Sequence, residues 1–386
     1  MIFIQYYTFL SVQNQLFVYT KLQHKLQQST NFFIILSNIC EYTLRVIIMF
    51  YTFKLKSILI IIGILLCLCL CLNIFFLSNT TITASKKAEY IKWMEFNINA
   101  KVMNDALSCD IETNEADYPI SWIDIIAYLA AKNGNSFKDY KSSDIRPFVD
   151  KIKEGCSVEE LTGDLKYFDY YKETYSAVLS EFAGSYTITG SDGEQKQKYG
   201  LKAYSPIAEG FAFSHYDDFG ASRSFGFKRK HLGNDLLGRI GTPIVAIEGG
   251  TVEAMGWNRY GGWRIGIRSF DKKRYYYYAH LRKDHPYQST LKEGDTVKAG
   301  EVIGYLGMTG YSNKENVNNI NIPHLHIGMQ IIFDESQKDG NNEIWIDMYN
   351  IIEFLNSHRS TVIKNQNGEY EQKYNVESTG DGIVDY

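Results

Sequence analysis

From about residue 205 the chain is divided into short strand-length segments that end at glycine or at a polar turn. "TPIVAIEGGTVEAMG" predicts two strands around Gly249 and Gly250, and "EGDTVKAGEVIGYLG" predicts two more around a turn. "WRIGIRS", "RYYYYAHL" and "PHLHIGMQIIF" are three further strand candidates. Short strands with frequent turns predict a mainly β domain of antiparallel strands, in a sandwich or barrel-like core, over about residues 205–335.

Residues 85–184 have a helical pattern instead. In "SWIDIIAYLAAKNG", Ser121 is placed to cap the start of a helix and Gly134 to end it. "SVEEL" contains the capping-box pair Ser157 and Glu160, and "YFDYYKETYSAVLSEFAG" repeats apolar residues mostly at spacings of three or four. The pattern predicts an all-α module of about four helices. It contains no histidine and no catalytic constellation, so we expect a spacer or docking role.

The part of the chain beyond the β domain, residues 336–386, contains one more helical segment. "EIWIDMYNIIEFLNSH" predicts a single helix. A polar tail follows it to Tyr386.

The segment "SILIIIGILLCLCLCLNIFFL", residues 57–77, is an apolar run interrupted after Ser57 only by a glycine and an asparagine. A run of about 20 such residues is long enough to cross a bilayer as a helix. Lys54 and Lys56 precede it, which predicts a cytoplasmic N-terminal segment and an extracellular remainder. A cleaved signal peptide is the alternative. The run is long for a signal, and Ile82 makes "ITA" a poor cleavage site, so an uncleaved single-pass anchor is favoured.

Within the predicted cytoplasmic segment, residues 1–56, the first 48 residues are aromatic and glutamine-rich and have no clear domain pattern. Met49 begins "MFYTFKLKS", which resembles the natural start of an anchor, so Met49 is a candidate true start. Cys109 and Cys156 lie beyond the anchor, where a disulfide can persist. The sequence leaves their pairing open, because it does not supply the geometry.

Histidines are concentrated in the β region: seven of the eight follow residue 200. His215, His285 and His358 are interpreted as loop or surface residues. Four others remain as candidates for chemistry: His231, His280, His324 and His326.

Two motifs bring these candidates toward one site. "HLGND" places His231 and Asp235 four residues apart, and "PHLH" places His324 and His326 on one face of a strand, because alternate strand residues share a face. His280 ends the strand in "YYYYAHL" and can face the same cleft. One carboxylate with several imidazoles is a catalytic zinc composition, in which three residues bind the metal. Two histidines would remain for proton transfer or oxyanion stabilisation.

With these motifs in this order, residues 205–335 resemble the lysostaphin and LytM-type zinc metallopeptidases, which cut peptides of bacterial peptidoglycan. The resemblance implies the split, barrel-like β core called the duplicated hybrid motif and one Zn²⁺ per chain. It implies His231, Asp235 and His326 as zinc ligands and His280 and His324 as the catalytic pair. With the anchor, it implies a cell-membrane enzyme whose catalytic domain is extracellular, and an envelope protein is a candidate partner for the helical module.

Two departures from the family's pattern stand out. The loop "SNKENVNNINI", residues 312–322, is longer than the few residues usual there, and we expect it to border the cleft and alter substrate choice. Relatives often carry a tyrosine shortly before the first zinc histidine, but here Phe225 and Phe227 occupy that stretch, so no phenol is evident to bind an oxyanion.

Three other functional classes are weighed against the enzyme. A non-catalytic LytM-type scaffold of the envelope is the main alternative, but such scaffolds usually lack one or more of the five site residues. Biotinyl carrier and sugar-phosphotransferase domains have a similar pattern of short strands and glycine turns, as "GDTVKAG" illustrates. They need neither a membrane anchor nor Asp235. A formal net charge of −4 and a pI of about 6.1 argue against nucleic acid as a partner.

Overall fold

A computed structural model describes residues 34, 37–43, 96–190, 193–225, 227–338 and 342–378. The predicted membrane helix, residues 57–77, lies outside them, as does nearly all of the segment 1–56. Within the described residues, no helix is both long enough and apolar enough to cross a membrane. The chain divides into two compact units, Met1–Glu89 and Tyr90–Tyr386. Of the first unit, residues 34 and 37–43 are described, and they are helical.

The second unit begins with helices, as predicted. In chain order its described α-helices are α1 (Ala100–Thr113), α2 (Trp122–Asn133), α3 (Arg146–Lys153), α4 (Val158–Thr162), α5 (Phe168–Leu179) and α6 (Tyr349–Leu355), with short 3-10 turns at Ser142–Ile145, Ser180–Phe182 and Glu335–Gln337. Five α-helices therefore occupy the described part of the predicted four-helix region.

The ends of these helices test the predicted caps. The Ser157 hydroxyl accepts from the Glu160 amide at 3.1 Å, and the Glu160 carboxylate accepts from the Ser157 amide at 2.8 Å, so the capping box is confirmed. Gly134 ends α2 in the left-handed conformation, also as predicted. Ser121 occupies the N-cap position of α2, as predicted, but its side chain makes no capping bond. The Asp110 carboxylate accepts from the amide of Trp122, the first residue of the helix, at 2.9 Å.

Strands fill the rest of the unit. They are β1 (Ala183–Thr189), β2 (Gln195–Leu201), β3 (Phe213–His215), β4 (Ser222–Phe225), β5 (Phe227–Lys230), β6 (Asn234–Gly238), β7 (Pro243–Val245), β8 (Gly250–Asn258), β9 (Gly262–Ser269), β10 (Arg274–Ala279), β11 (Thr296–Val297), β12 (Val302–Tyr305), β13 (His324–Ile331), β14 (Ile344–Ile346), β15 (Val362–Lys364), β16 (Tyr370–Gln372) and β17 (Asn375–Ser378). Every strand predicted between residues 243 and 331 is present.

The principal sheet has eight antiparallel strands. Their order is β11-β8-β9-β10-β13-β6-β3, and β14 also pairs with β13. Smaller sheets are β17-β1-β2, β12-β7, β15-β16 and the hairpin β4-β5. The predicted antiparallel, mainly β domain with a helical N-terminal region is therefore confirmed, and strands β6, β10 and β13 lie side by side at its centre.

The C-terminal prediction needs correction. Residues Ile344–Ile346 form strand β14 rather than helix, because they pair with β13, and α6 begins only at Tyr349. The Asp347 carboxylate accepts from the Tyr349 amide at 2.9 Å and so fixes that later start. The described part of the predicted polar tail contains three strands, and the last of them pairs with β1.

Helices and sheet share one continuous apolar core. The indole of Trp122 in α2 stacks on the ring of Phe354 in α6, with ring centroids 5.9 Å apart. The buried side chain of Arg274 in β10 donates to the carbonyl of Ala177 in α5 at 2.8 Å. Cys109 and Cys156 are both free, so no disulfide joins them.

Candidate metal and catalytic site

Three of the predicted site residues converge where β6 meets β13. Asp235 lies directly opposite His326 in the antiparallel register. The Nε2 atom of His231 lies 3.0 Å from Oδ1 of Asp235 and 2.8 Å from Nδ1 of His326, and that Nδ1 lies 3.2 Å from the same carboxylate oxygen. Leu325, between the two strand histidines, is fully buried, as the strand alternation predicts.

Gly233 makes this close approach feasible. A Cβ atom at residue 233 would lie 2.5 Å from the carbonyl oxygen of Ile327 and 2.8 Å from the His326 ring. Both distances are shorter than non-bonded atoms tolerate. The glycine of "HLGND" is therefore required for His231 and Asp235 to reach one point beside β13.

His280 follows the end of β10 with a left-handed backbone, φ 61°. That conformation is unfavourable for a residue with a side chain, and it is held by a bond from the His280 amide to the carbonyl of Gly261 at 2.7 Å. Its Nδ1 lies 2.8 Å from the carbonyl oxygen of Thr309. Because a carbonyl only accepts, Nδ1 carries the proton and Nε2 keeps its lone pair.

His324 has the same tautomer for the same reason. Its Nδ1 lies 2.8 Å from the carbonyl oxygen of Ile322, so its Nε2 also keeps a free lone pair. That Nε2 is 3.7 Å from Oδ1 of Asp235. The His280 ring lies 4.7 Å from the His324 ring and 5.9 Å from the His326 ring, measured between centroids. The structure thus brings all five predicted residues together.

Burial and neighbouring charges set the protonation of these groups. Burial, with the nearby imidazoles of His324 and His326, holds the pKa of His280 well below its usual range. Burial also lowers the pKa of His326, against the pull of Asp235. Burial opposes protonation of His231, but its bonds to Asp218 and Asp235 prevail and raise its pKa to about 9. For Asp235, burial is outweighed by the bonds and charges of the neighbouring histidines, which hold its pKa below the usual range.

A carboxylate and a guanidinium that the sequence analysis missed stand behind the metal-ligand candidates. Asp218 has one oxygen 3.2 Å from Nδ1 of His231, and its other oxygen accepts from the Asp235 amide at 3.3 Å. Nη2 of Arg223 donates to Asp218 at 2.5 Å and to Asp235 at 3.1 Å. Such carboxylates fix the ring orientation of a metal-binding histidine.

A sequence signal for this arrangement did exist. In "SRSFGFKRK" the glycine predicts a tight turn, and the β4-β5 hairpin is observed there, with Ser222 paired to Lys230. Continuing that register pairs Ala221 with His231, and the His231 amide donates to the Ala221 carbonyl at 2.9 Å. The hairpin therefore carries the residues before Ala221 to the first metal-ligand candidate.

The long loop 312–322 is fixed by side-chain bonds on both flanks. The Asn316 amide oxygen accepts from the Trp263 indole at 2.9 Å and from the Asp284 amide at 2.9 Å. Asn319 donates to the carbonyl of Tyr311 at 2.7 Å. As expected, the loop borders the cleft, and its residue Ile322 also sets the tautomer of His324.

Two grooves flank the site. A groove of about 510 Å³ lies on the side of Asp235 and His324, and its other lining residues are Tyr216, Asp218, Arg223, Leu237, Ile320, Asn321 and Ile322. A groove of about 260 Å³ lies on the side of His326, and it is otherwise lined by Leu232, Tyr275, Tyr277, Gln330, Lys338, Glu343 and Trp345. Three of the five site residues therefore line these grooves: Asp235, His324 and His326.

A phenol does lie beside His280, although the sequence pattern does not indicate it. The ring of Tyr311 lies 5.8 Å from the ring of His280, and Phe225 stacks on Tyr311 at 5.1 Å. Tyr311 comes from the loop after β12 rather than from the stretch before His231.

The remaining described histidines have structural contacts away from the site. His215 packs on the ring of Tyr349 at 4.6 Å, and His285 lies 3.1 Å from the carboxylate of Glu369. His358 stacks on Tyr204 at 4.3 Å, so it is a packing residue rather than a surface one.

Sequence comparison agrees with this geometry. A family model described as Peptidase family M23 matches residues 229–341, which include all five site residues. Residues 229–341 form an M23 peptidase domain. The resemblance to lysostaphin and LytM-type peptidases is therefore confirmed for that part of the chain.

Three curated relatives cover overlapping parts of the chain. The L-Ala–D-Glu endopeptidase of Bacillus subtilis is 34% identical, over 42% of this chain and 47% of its own length. Lysostaphin of Staphylococcus simulans is 41% identical, over 25% of this chain and 17% of its own. The glycyl-glycine endopeptidase ALE-1 of Staphylococcus capitis is 40% identical, over 25% and 23%. The chain thus spans less than half the length of these relatives.

The donor atoms of the M23 domain fit a zinc ion. Two imidazole nitrogens and one carboxylate oxygen are a ligand set of catalytic zinc, which leaves a further position for water. His231, Asp235 and His326 each offer one such atom, and the three atoms lie within 4.8 Å of one another. Because M23 peptidases are zinc-dependent, the cofactor of this domain is one zinc ion.

Proposed function

We propose that the protein is a zinc-dependent endopeptidase that hydrolyses peptide bonds in bacterial peptidoglycan. One observation carries the proposal: three metal-ligand atoms face one another, and two histidines with free Nε2 lone pairs stand beside them. The M23 relatives named as endopeptidases support the reaction class.

In this proposal His231, Asp235 and His326 hold the zinc ion. When bound there, a zinc ion would supply Lewis-acid chemistry: it would polarise the scissile carbonyl and lower the pKa of a water molecule toward about 7. Asp218 and Arg223 keep the His231 ring and the Asp235 carboxylate in place, because they bond to both from behind the site. These outer bonds reduce the reorganisation that metal binding requires.

His324 is the proposed general base. Its Nδ1 proton is committed to Ile322, so its Nε2 is free to take a proton from the attacking water and later to protonate the leaving amine. His280 has the same committed Nδ1 and a lowered pKa, so it is neutral and also accepts at Nε2. We therefore assign it a share of the proton transfer. To stabilise an oxyanion, His280 would need a second proton, on Nε2, because its Nδ1 proton is already bonded to Thr309.

The non-catalytic scaffold remains the competing function, and digestion of cell walls separates the two. The full chain, purified in detergent, would be incubated with peptidoglycan from several bacteria, and the fragments identified by mass spectrometry. We expect new amino and carboxyl ends that disappear when zinc is chelated and return when zinc is restored. If zinc-loaded protein releases no fragment from any wall, the scaffold function replaces the enzyme.

We also propose that residues 57–77 anchor the protein in the cell membrane with the peptidase domain outside. The apolar run and the two lysines before it support this topology. The protein should stay in the membrane pellet after alkaline carbonate washing, and external protease should remove the peptidase domain from intact cells. A soluble form that begins near residue 85 would favour a cleaved signal instead.

A further inference from the structure

A group of arginines and aromatic rings lies next to the catalytic pair and has no role in the steps above. It consists of Phe225, Arg229, Arg259, Tyr260 and Tyr311, and we call it the arginine–aromatic shelf. These residues come from the β4-β5 hairpin, the turn between β8 and β9, and the loop after β12.

The shelf is built by rings that hold the two guanidinium groups. The Arg229 guanidinium lies 5.1 Å from the ring centre of Tyr260 and 5.2 Å from that of Tyr311. The Arg259 guanidinium lies 4.8 Å from Tyr260 and 5.7 Å from Phe225. The distances from Tyr260 to the two guanidinium groups are within the roughly 6 Å over which a cation is attracted to an aromatic ring. The Tyr311 amide donates to the Tyr260 carbonyl at 3.3 Å, which ties the two loops together.

The two arginines have no carboxylate partner among the described residues, whereas three other arginines of the domain do. Arg223 pairs with Asp218 and Asp235, Arg268 with glutamates, and Arg274 with Glu248 and Asp271. In Arg229, Nη2 donates to the Tyr311 hydroxyl at 3.0 Å. Its Nη1 is buried and has no hydrogen-bond partner in the described part of the chain.

The position of the shelf places it within reach of a bound peptide. Tyr311 contacts both Arg229 and His280, at 5.8 Å between the rings in the latter case. An extended peptide advances about 3.3–3.6 Å per residue. A residue next to the scissile bond, or one further along, would therefore reach the guanidinium groups.

We propose that the arginine–aromatic shelf binds a free carboxylate of the substrate peptide, on a residue near the bond that is cut. This inference rests on the proposed peptidase function and specifies its substrate class. A guanidinium presents a planar fork of donors that matches a carboxylate, and partial removal of water by the rings strengthens the attraction. Neutral, glycine-only bridges offer no such group, so peptides with an acidic residue are the preferred substrates.

The test uses two synthetic stem peptides that differ only in one group near the scissile bond, a free carboxylate in one and its carboxamide in the other. For the zinc-loaded full chain we expect kcat/KM at least about tenfold higher for the carboxylate peptide, because a charge-assisted bond is roughly twice as strong as a neutral one. Arg229→Gln and Arg259→Gln should each lower that value about tenfold and leave the carboxamide peptide unchanged. Lys228→Gln, an equal charge change at an exposed neighbour in β5, should alter neither.

Binding measured by calorimetry separates failure of the inference from failure of the proposed function. If both peptides are cut at equal rates, or if the arginine variants slow both peptides equally, the shelf only supports the loops and the inference fails while the peptidase stands. If neither peptide is cut, but the carboxylate peptide binds more tightly and loses this advantage in Arg229→Gln, the shelf stands and hydrolysis fails. Equal or absent binding of the two peptides without cleavage overturns both.

Discussion

The two ends of strand β10 contain buried polar clusters of opposite character. At its start, Arg274 is fully buried and each of its three side-chain nitrogens has a partner: it donates to both Glu248 oxygens at 2.8 and 3.0 Å, to Asp271 at 2.9 Å and to the Ala177 carbonyl at 2.8 Å. Just past its end, His280 has a strained backbone conformation, and within the described residues its side chain makes a hydrogen bond through Nδ1 only.

The cluster at Arg274 has a structural role, whereas the cluster at His280 is suited to chemistry. A buried cluster in which donors and acceptors match holds one conformation, and here it joins the sheet to α5. A cluster that leaves buried lone pairs without hydrogen-bond partners is unfavourable unless a metal ion or a reacting group takes them up. Perturbed and incompletely matched groups in a cleft indicate function for that reason.

The largest effect on stability is expected at the matched end. Arg274→Ala leaves the Glu248 carboxylate buried without its partner, so we expect a loss of about 3–5 kcal/mol in the free energy of unfolding. Urea titration followed by circular dichroism measures it. Lys273→Ala, one residue earlier and exposed, is the matched control and should change stability little. A loss below about 1 kcal/mol for Arg274→Ala would show that this cluster does not join helices and sheet.

A smaller effect is expected at Asp218, which bonds to the metal-ligand candidate His231. Asp218→Asn weakens the bond to Nδ1 of His231 and the ion pair with Arg223, so we expect zinc affinity to fall about 10- to 100-fold. Competition with a coloured chelator measures this affinity without any substrate. Asp217→Asn, next in sequence and exposed, serves as the control. Equal affinities for the two variants would remove Asp218 from the site.

The smallest effect is a gain in stability at the strained end. His280→Gly and His280→Ala both remove the ring, but only glycine adopts φ 61° without strain. We therefore expect the glycine variant to be about 1 kcal/mol more stable than the alanine variant, while both lose hydrolysis. Thermal unfolding of the pair measures the difference. If alanine is the more stable, the left-handed backbone at His280 stores no strain.

The comparison also shows which features the sequence could reveal. The strands were predictable, because strand alternation is a local pattern. The five candidate site residues were singled out from the H-x-x-x-D and H-x-H spacings together with the resemblance to a known family. Strand β14 was not predictable, since Ile344–Ile346 are committed by pairing with β13, a contact distant in sequence. Asp218 and the arginine–aromatic shelf depend on how separate loops meet. No spacing rule places Arg229 beside Tyr311, 82 residues apart.

The division of roles among the five site residues is tested most directly by measuring zinc content and peptidoglycan cleavage on the same samples. His231→Ala, Asp235→Ala and His326→Ala should lose zinc and, with it, activity. His280→Ala and His324→Ala should keep zinc, by atomic spectroscopy, but cleave on the order of 100-fold more slowly or worse, as expected when a general acid or base is missing. If His324→Ala empties the site while His326→Ala leaves it full, the two roles are reversed. If all five variants cleave as well as the parent protein, the site is not the catalytic centre.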